Sequence, residues 1–312
     1  MKTLIGMIKN NFVLMVLILL VVVFICAYPK KFLSPVNISS IVRQFIRLSL
    51  FALGPTFVVV IGSMDLTYVG IWMLGGILVW YVSSWIGPFA ILIYPILGFV
   101  TGLLVGVIQV KAKIPSFILT LSITVTYWGL TAWLSGGYPR RVKGFGFITA
   151  SLLPYLPVAL LWAIPIMIVA VFIMKRTRIG TYFYAIGSNE EGAELSGIDV
   201  EKYKILAFTL SGLFTGIGLI ILFPLLGGSA PTELKLGSIV DPLIAIVLGG
   251  TPLVGGSGGP ERTLLGALTF AVIQRGLSLT FWKPELIQLL LGLVVLGAIL
   301  VGARKLKGMV IT

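Results

Sequence analysis

Apolar runs of bilayer length recur from one end of this chain to the other, and no polar stretch between them is long enough to build a soluble domain. A helix that crosses a bilayer needs about 20 mostly apolar residues. Ten segments qualify: about 11–28, 46–62, 68–86, 88–110, 117–135, 152–174, 204–226, 239–254, 260–281 and 285–303. Apolar residues make up 58% of the 312 positions and charged residues 11%. Soluble domains carry roughly 45–50% and about 25%. Lipid is therefore the solvent, and backbone in lipid must satisfy its own hydrogen bonds. The expectation is an all-α polytopic membrane protein of about ten spans, with one transmembrane domain over 1–312.

The spans are not uniform. The eighth is short and glycine-rich and reads as broken or re-entrant. Pro55, Pro95, Pro165 and Pro224 predict kinks. Gly98, Gly102 and Gly106, with Gly212, Gly216 and Gly218, predict close helix packing. Met1–Tyr28 resembles a signal peptide. Its core, Phe12–Ala27, is long for the roughly 7–15 apolar residues of such a peptide, and no small-residue cleavage site follows, so it reads as a retained first helix. With the N-terminus inside, 13 Lys and Arg fall on the inner side and nine outside, Arg43, Arg47 and the Arg140–Arg141–Lys143 cluster among the nine. Arg275 falls in the ninth span. This is the expected inward bias. Trp72, Trp80, Trp85, Trp128, Trp133, Trp162 and Trp282 lie mostly near span ends, as an interfacial belt does.

Several chemistries are excluded. There is no His, and the single Cys26 sits in an apolar run. No catalytic constellation and no metal cluster is readable. The net charge of +13 has no basic, aromatic-interleaved patch in a polar domain, so nucleic acid is not a partner. The run Gly249–Gly259 lacks the Gly-Lys-Ser/Thr of a phosphate-binding loop, so no nucleotide cofactor is expected on this chain.

One polar stretch stands apart, residues 175–204 between the sixth and seventh spans. Lys175–Arg178 reads as an inner-face anchor. Ser188 or Asn189 can cap a short helix with Glu190 and Glu191 at its positive end. That helix would stop at Gly197. It is too short to stand alone in water, so it must dock on its own bundle or on a partner.

At these residues the chain resembles the permease subunits of ribose-type bacterial ABC importers. The stretch Asn189, Glu190, Glu191, Gly192, Ala193, Glu194, Leu195, Ser196, Gly197, Ile198 is similar to their cytoplasmic coupling loop, departing at Glu191 and Gly192, where the family has an Ala pair. Ala245–Gly256 resembles a second family stretch with Pro252 in place of Ser, and Thr263–Ala267 continues it after Arg262, which replaces a Gly. Met64-Asp65-Leu66-Thr67 is similar to a third, although the following Gly70 lies one residue later than usual. The resemblance runs in order from about residue 37 to 303. It implies the ABC importer permease fold and a location in the bacterial inner membrane. It implies four further components: a second permease copy or paralogue, a cytoplasmic ATPase that holds the ATP and Mg, an extracytoplasmic solute-binding protein, and surrounding lipid. The implied cargo is a sugar or similar polar solute, moved by alternating access.

Candidates for the translocation path are Asp65, Thr67, Asp241, Gly249, Gly250, Thr251 and Gln274. Each also has a plainer reading. Asp65-Leu66-Thr67 can break or cap a helix, Asp241-Pro242 can be an N-cap with Pro at the first helical position, and the glycine run can simply pack. Gln109, Arg275 and Gln288 also interrupt apolar runs, with Glu285 the guessed partner of Arg275. The competing functions are an ion-gradient secondary transporter, which wants mid-membrane acids and inverted repeats, an ABC permease for nucleosides or amino acids, and a membrane enzyme.

Overall fold

The computed structural model describes residues 12–280 apart from 146, 147, 149, 154, 155 and 230, with 286, 289, 290, 292 and 293 beyond them. Most of the expected span 285–303, with Trp282, Glu285 and Gln288, lies outside the described residues.

Helix α1 is Phe12–Ala27, and a one-turn α2, Pro29–Phe32, follows. Helix α3, Pro35–Val60, starts eleven residues before the apolar run beginning at 46. Ser34 caps it by accepting from the Asn37 N–H at 3.3 Å, and Pro35 occupies the first helical position. Arg43 and Arg47, expected in an outer loop, therefore lie on this helix. Helix α4, Thr67–Ile86, leads through a 3-10 turn, Gly87–Leu92, into α5, Ile93–Ala112. Helix α6 is Ser116–Ser135. Instead of a helix from 152, a two-stranded pairing of Ser151–Leu153 with Leu156–Pro157 intervenes, and α7, Ala159–Arg176, begins after Pro157. The polar stretch holds two helices, α8 (Arg178–Ser188), which was not foreseen, and α9 (Glu190–Leu195). Then come α10 (Val200–Leu225), α11 (Leu236–Leu248) and α12 (Pro260–Leu277).

Among the described residues, five helical stretches are long and apolar enough to cross a membrane: Pro35–Val60, Thr67–Ala112, Ser116–Ser135, Ala159–Arg176 and Val200–Leu225. The bundle is built on α3 and α10, whose middles are buried. Helix α5 lies along α10 in a seam of small residues. A Cβ on Gly98 would sit 2.1 Å from the Gly212 carbonyl oxygen, and one on Gly102 would sit 2.2 Å from that of Phe208. The seam thus packs backbone on backbone. Helix α6 covers α4, α11 and α12 cover α3, and α1 lies on α12. Trp85, Trp133 and Trp162 are exposed, as belt residues are.

Two segments leave helical form at membrane depth. After Val60 the chain unwinds. The Met64 N–H donates to Ser116 Oγ at 2.9 Å at the start of α6, and Thr124 Oγ1, two turns further along α6, donates to the Leu66 carbonyl at 2.9 Å. Residues 61–66 thus climb into the bundle, and α4 starts partway across it. Unwound backbone at this depth is tolerated because protein groups satisfy it. On the opposite side, residues 231–235 lie against α6. Trp128 Nε1 donates to the Thr232 carbonyl at 2.9 Å, about 18 Å along α6. Helix α11 follows with 13 residues, about 20 Å, against a hydrocarbon core of about 30 Å. The eighth span is therefore a short helix inside the bundle, and it begins at 236 rather than 239.

Candidate functional site

The expected site residues fall into four groups. The first is the polar stretch. Asn189, not Ser188, caps α9, with Oδ1 accepting from the Gly192 N–H at 3.0 Å. Glu190 and Glu191 occupy the first turn. The helix ends in a Schellman arrangement. The Ile198 N–H donates to the Ala193 carbonyl at 3.1 Å and the Gly197 N–H to that of Glu194 at 2.9 Å. Gly197 has φ +82°, which favours glycine. Lys204 of α10 grips Glu190 at 2.6 Å. Ala193 faces inward, while Glu191, Glu194, Ser196 and Gly197 are exposed and Leu195 is 85% exposed. A short helix is thus held rigidly with an apolar knob between acids pointing away from the bundle.

The second group is the glycine run, which forms a joint directly behind that helix. The Gly256 N–H donates to the Val60 carbonyl at 2.9 Å. A Cβ on Gly187 would lie 1.9 Å from that same oxygen and 2.5 Å from the Gly256 nitrogen. One on Gly255 would lie 2.5 Å from the Gly62 nitrogen. Three chain segments therefore touch through bare backbone: the end of α3, the end of α8 and the run 249–259. Tyr184 on α8 donates its hydroxyl to the Gly258 carbonyl at 2.7 Å, and Ser188 Oγ reaches that of Gly256 at 3.4 Å. Burial chiefly, with the Glu261 carboxylate nearby and Arg262 opposing, pushes the Tyr184 phenol up to about 12. Lys175 pairs with Glu261 at 3.0 Å on the same side. Thr251 Oγ1 accepts from the Gly259 N–H at 3.0 Å, and Gly249 sits against the Arg262 carbonyl. Gly249 and Thr251 are buried, and Gly250 is exposed.

The third group is Asp65 with Thr67. Asp65 is 1% exposed. One oxygen accepts from the Thr67 N–H at 2.8 Å and from Thr67 Oγ1 at 2.7 Å, and the other from Ser211 Oγ at 2.6 Å. Ser211 lies about 16 Å into α10. The carboxylate thus ties the unwound segment to the central helix.

The fourth group is Asp241 with Gln274. Asp241 is not an N-cap; it stands in the middle of α11 because that helix starts five residues earlier, at Leu236. Its partner is Arg47 at 3.4 Å, and Gln274 Oε1 accepts from the Gln44 side-chain amide. Helix α3 supplies both partners. Reading the run from 46 as the start of the helix concealed them. The signal was present in Ser34-Pro35 and in the spacing of Ser40, Gln44 and Arg47. Arg275 Nε is buried with no hydrogen-bond partner among the described residues. Tyr68, the second residue of α4, donates its hydroxyl to the Ile239 carbonyl, two residues before Asp241. Tyr68 thus joins the unwound segment to the polar cluster, and the glycine joint joins that segment to the polar stretch.

Residues 37–299 match the family model described as branched-chain amino acid transport system / permease component. The chain belongs to that family. It is a ribose-type ABC permease and a multi-pass protein of the bacterial cytoplasmic membrane. Among its relatives, the ribose import permease protein of Haemophilus influenzae is 31% identical over 315 residues, 96% of this chain and 95% of that one. The Bacillus subtilis ribose import permease protein is 31% identical over 292 residues, covering 92% and 90%. The xylose transport system permease protein of Escherichia coli K12 is 26% identical over 324 residues, covering 81% and 82%. No solved structure matches the permease.

Proposed function

We propose that this permease is the membrane subunit of an ABC importer for a pentose or similar small sugar, with ten crossings and alternating access. The observation that carries the reading is the α8–α9 element. Leu195 is 85% exposed on a six-residue helix that is capped at both ends and clamped to α10 by Lys204. An exposed leucine between acids on so rigid a mount is surface prepared for a partner. A cytoplasmic ATPase, holding ATP and Mg, fits the family. A second permease copy or paralogue and an extracytoplasmic binding protein complete the assembly, and the sugar relatives support the cargo class. Nucleotide-driven motion of the ATPase would push α9, the glycine joint would pass it to the end of α3, and residues 61–68 would carry it to mid-membrane. The chain then supplies a two-state bundle whose populations the nucleotide shifts.

The test is co-purification of the operon-encoded ATPase with intact permease and with a Glu190→Ala, Glu194→Ala, Gly197→Pro triple variant, followed by ATP-dependent uptake of D-ribose and D-xylose. Binding by the intact chain and its loss in a variant that still inserts supports the importer. Uptake by the permease alone, driven by an ion gradient, sinks it.

A further inference from the structure

The polar face of α3 is not explained by coupling. The helix is 26 residues, about 39 Å long, and Arg47 stands about 18 Å from its outer end and about 20 Å from its inner end. Arg47 is thus at the middle of a helix long and apolar enough to span the bilayer. Its side chain is 32% exposed and that of its partner Asp241 21%. A charged pair facing hydrocarbon costs several kcal/mol, so a partly open pair at this depth faces water or another polar surface. The face continues upward through Gln44, Arg43 and Ser40, all partly accessible, at helical spacing. Gln274 on α12 and Asp241 on α11 close its sides. From Leu48 to Val60 α3 is buried on every side, so its accessible polar face ends at Arg47.

The chemistry of this face is specific. Arg47 and Asp241 cancel in charge, the two glutamines add neutral donors and acceptors, and Arg43, one turn outward, adds a positive charge at the outer edge. The ion pair is also loose. At 3.4 Å it exceeds the roughly 2.7–2.9 Å of a tight charge-assisted bond, and Arg47 Nε has no hydrogen-bond partner among the described residues. A hydroxyl can therefore insert between guanidinium and carboxylate, donating to one and accepting from the other.

We infer that Ser40, Gln44, Arg47, Asp241 and Gln274 line the outer half of the solute path and contact a neutral polyhydroxylated solute. The inference rests on the importer reading and adds where the solute passes and which side chains it meets. A net-charged solute would meet a repelling partner in the Arg47–Asp241 pair, whereas vicinal hydroxyls match it.

The test uses the chain's single cysteine, Cys26. In a Cys26→Ala background, Ser40→Cys and Gln44→Cys are placed in the full importer in lipid nanodiscs, with Leu104→Cys, 51% exposed on α5, as the lipid-facing control. A membrane-impermeant thiol reagent is applied with and without trapped ATP. The expected result is labelling about tenfold or more faster at 40 and 44 than at 104 in one nucleotide state, slowed by D-ribose or D-xylose in excess. Labelling at 40 and 44 no faster than at 104 in both states overturns the inference. So does labelling that neither pentose slows. Failure of the importer reading is seen separately, as absence of a co-purifying ATPase, because thiol accessibility can be read on the permease alone.

Discussion

At the inner joint, backbone meets backbone; at the mid-membrane cluster, only side chains meet. Gly187, Gly255 and Gly256 bring three chain segments so close that a single added carbon would lie 1.9 Å from the Val60 oxygen. Arg47 and Asp241, by contrast, face each other across 3.4 Å with part of each side chain open. Backbone-on-backbone contacts have no rotamers to absorb displacement, so a push on α8 would move the end of α3 with it. A cluster of long polar side chains can reshape as helices shift. On the proposed reading, force would be carried where the chain is bare and solute met where side chains are long.

The largest test of that contrast is Gly187→Val. Its Cβ lands inside van der Waals distance of Val60, and the expected cost is about 3 kcal/mol or more. A melting temperature equal to wild type in detergent would mean that the joint yields. Asp65→Ala comes next, because it strands the Ser211 hydroxyl and the Thr67 N–H in a buried site, each costing about 1–3 kcal/mol. Asp65→Asn should recover part of that loss in the same melt, since its amide oxygen can still accept from Thr67. Gln44→Ala should cost only about 1 kcal/mol, one hydrogen bond in an accessible site. If it destabilises as much as Gly187→Val, the cluster is structural rather than adaptable.

Tyr184→Phe should cost a similar amount, about 1 kcal/mol, for the lost bond to Gly258. It carries a pH signature. Folding raises the phenol from 10.0 to about 12, so its contribution is fully present below pH 10.0 and is lost as pH climbs toward about 12. Wild type and the variant should therefore differ by a constant amount through neutral pH and converge only in strong base, as measured by urea or thermal unfolding across that range.

How much was legible follows from which interactions are local. Length, apolarity and the absence of polar domains determined a helical membrane protein, because hydrocarbon leaves the backbone few alternatives. The Asn189 cap, the stop at Gly197 and the glycine seam of α5 and α10 were also readable, since capping and close packing are written in a few neighbouring residues. Hydropathy misplaced the start of α3. The polar residues 37–44 lower the apolar signal although Ser34 and Pro35 start a helix there. It also made one span of 239–254, where only α11 is helical and the glycines turn. Only the tertiary structure decided that Asp241 pairs with Arg47, 194 positions away. It also decided that Asp65 is held by Ser211 and that the glycine run serves as a joint for α3 and α8. Local sequence sets which segments become helices. Which polar groups meet depends on how helices far apart in sequence come together, and in a bilayer the cost of an unpaired polar group selects those meetings.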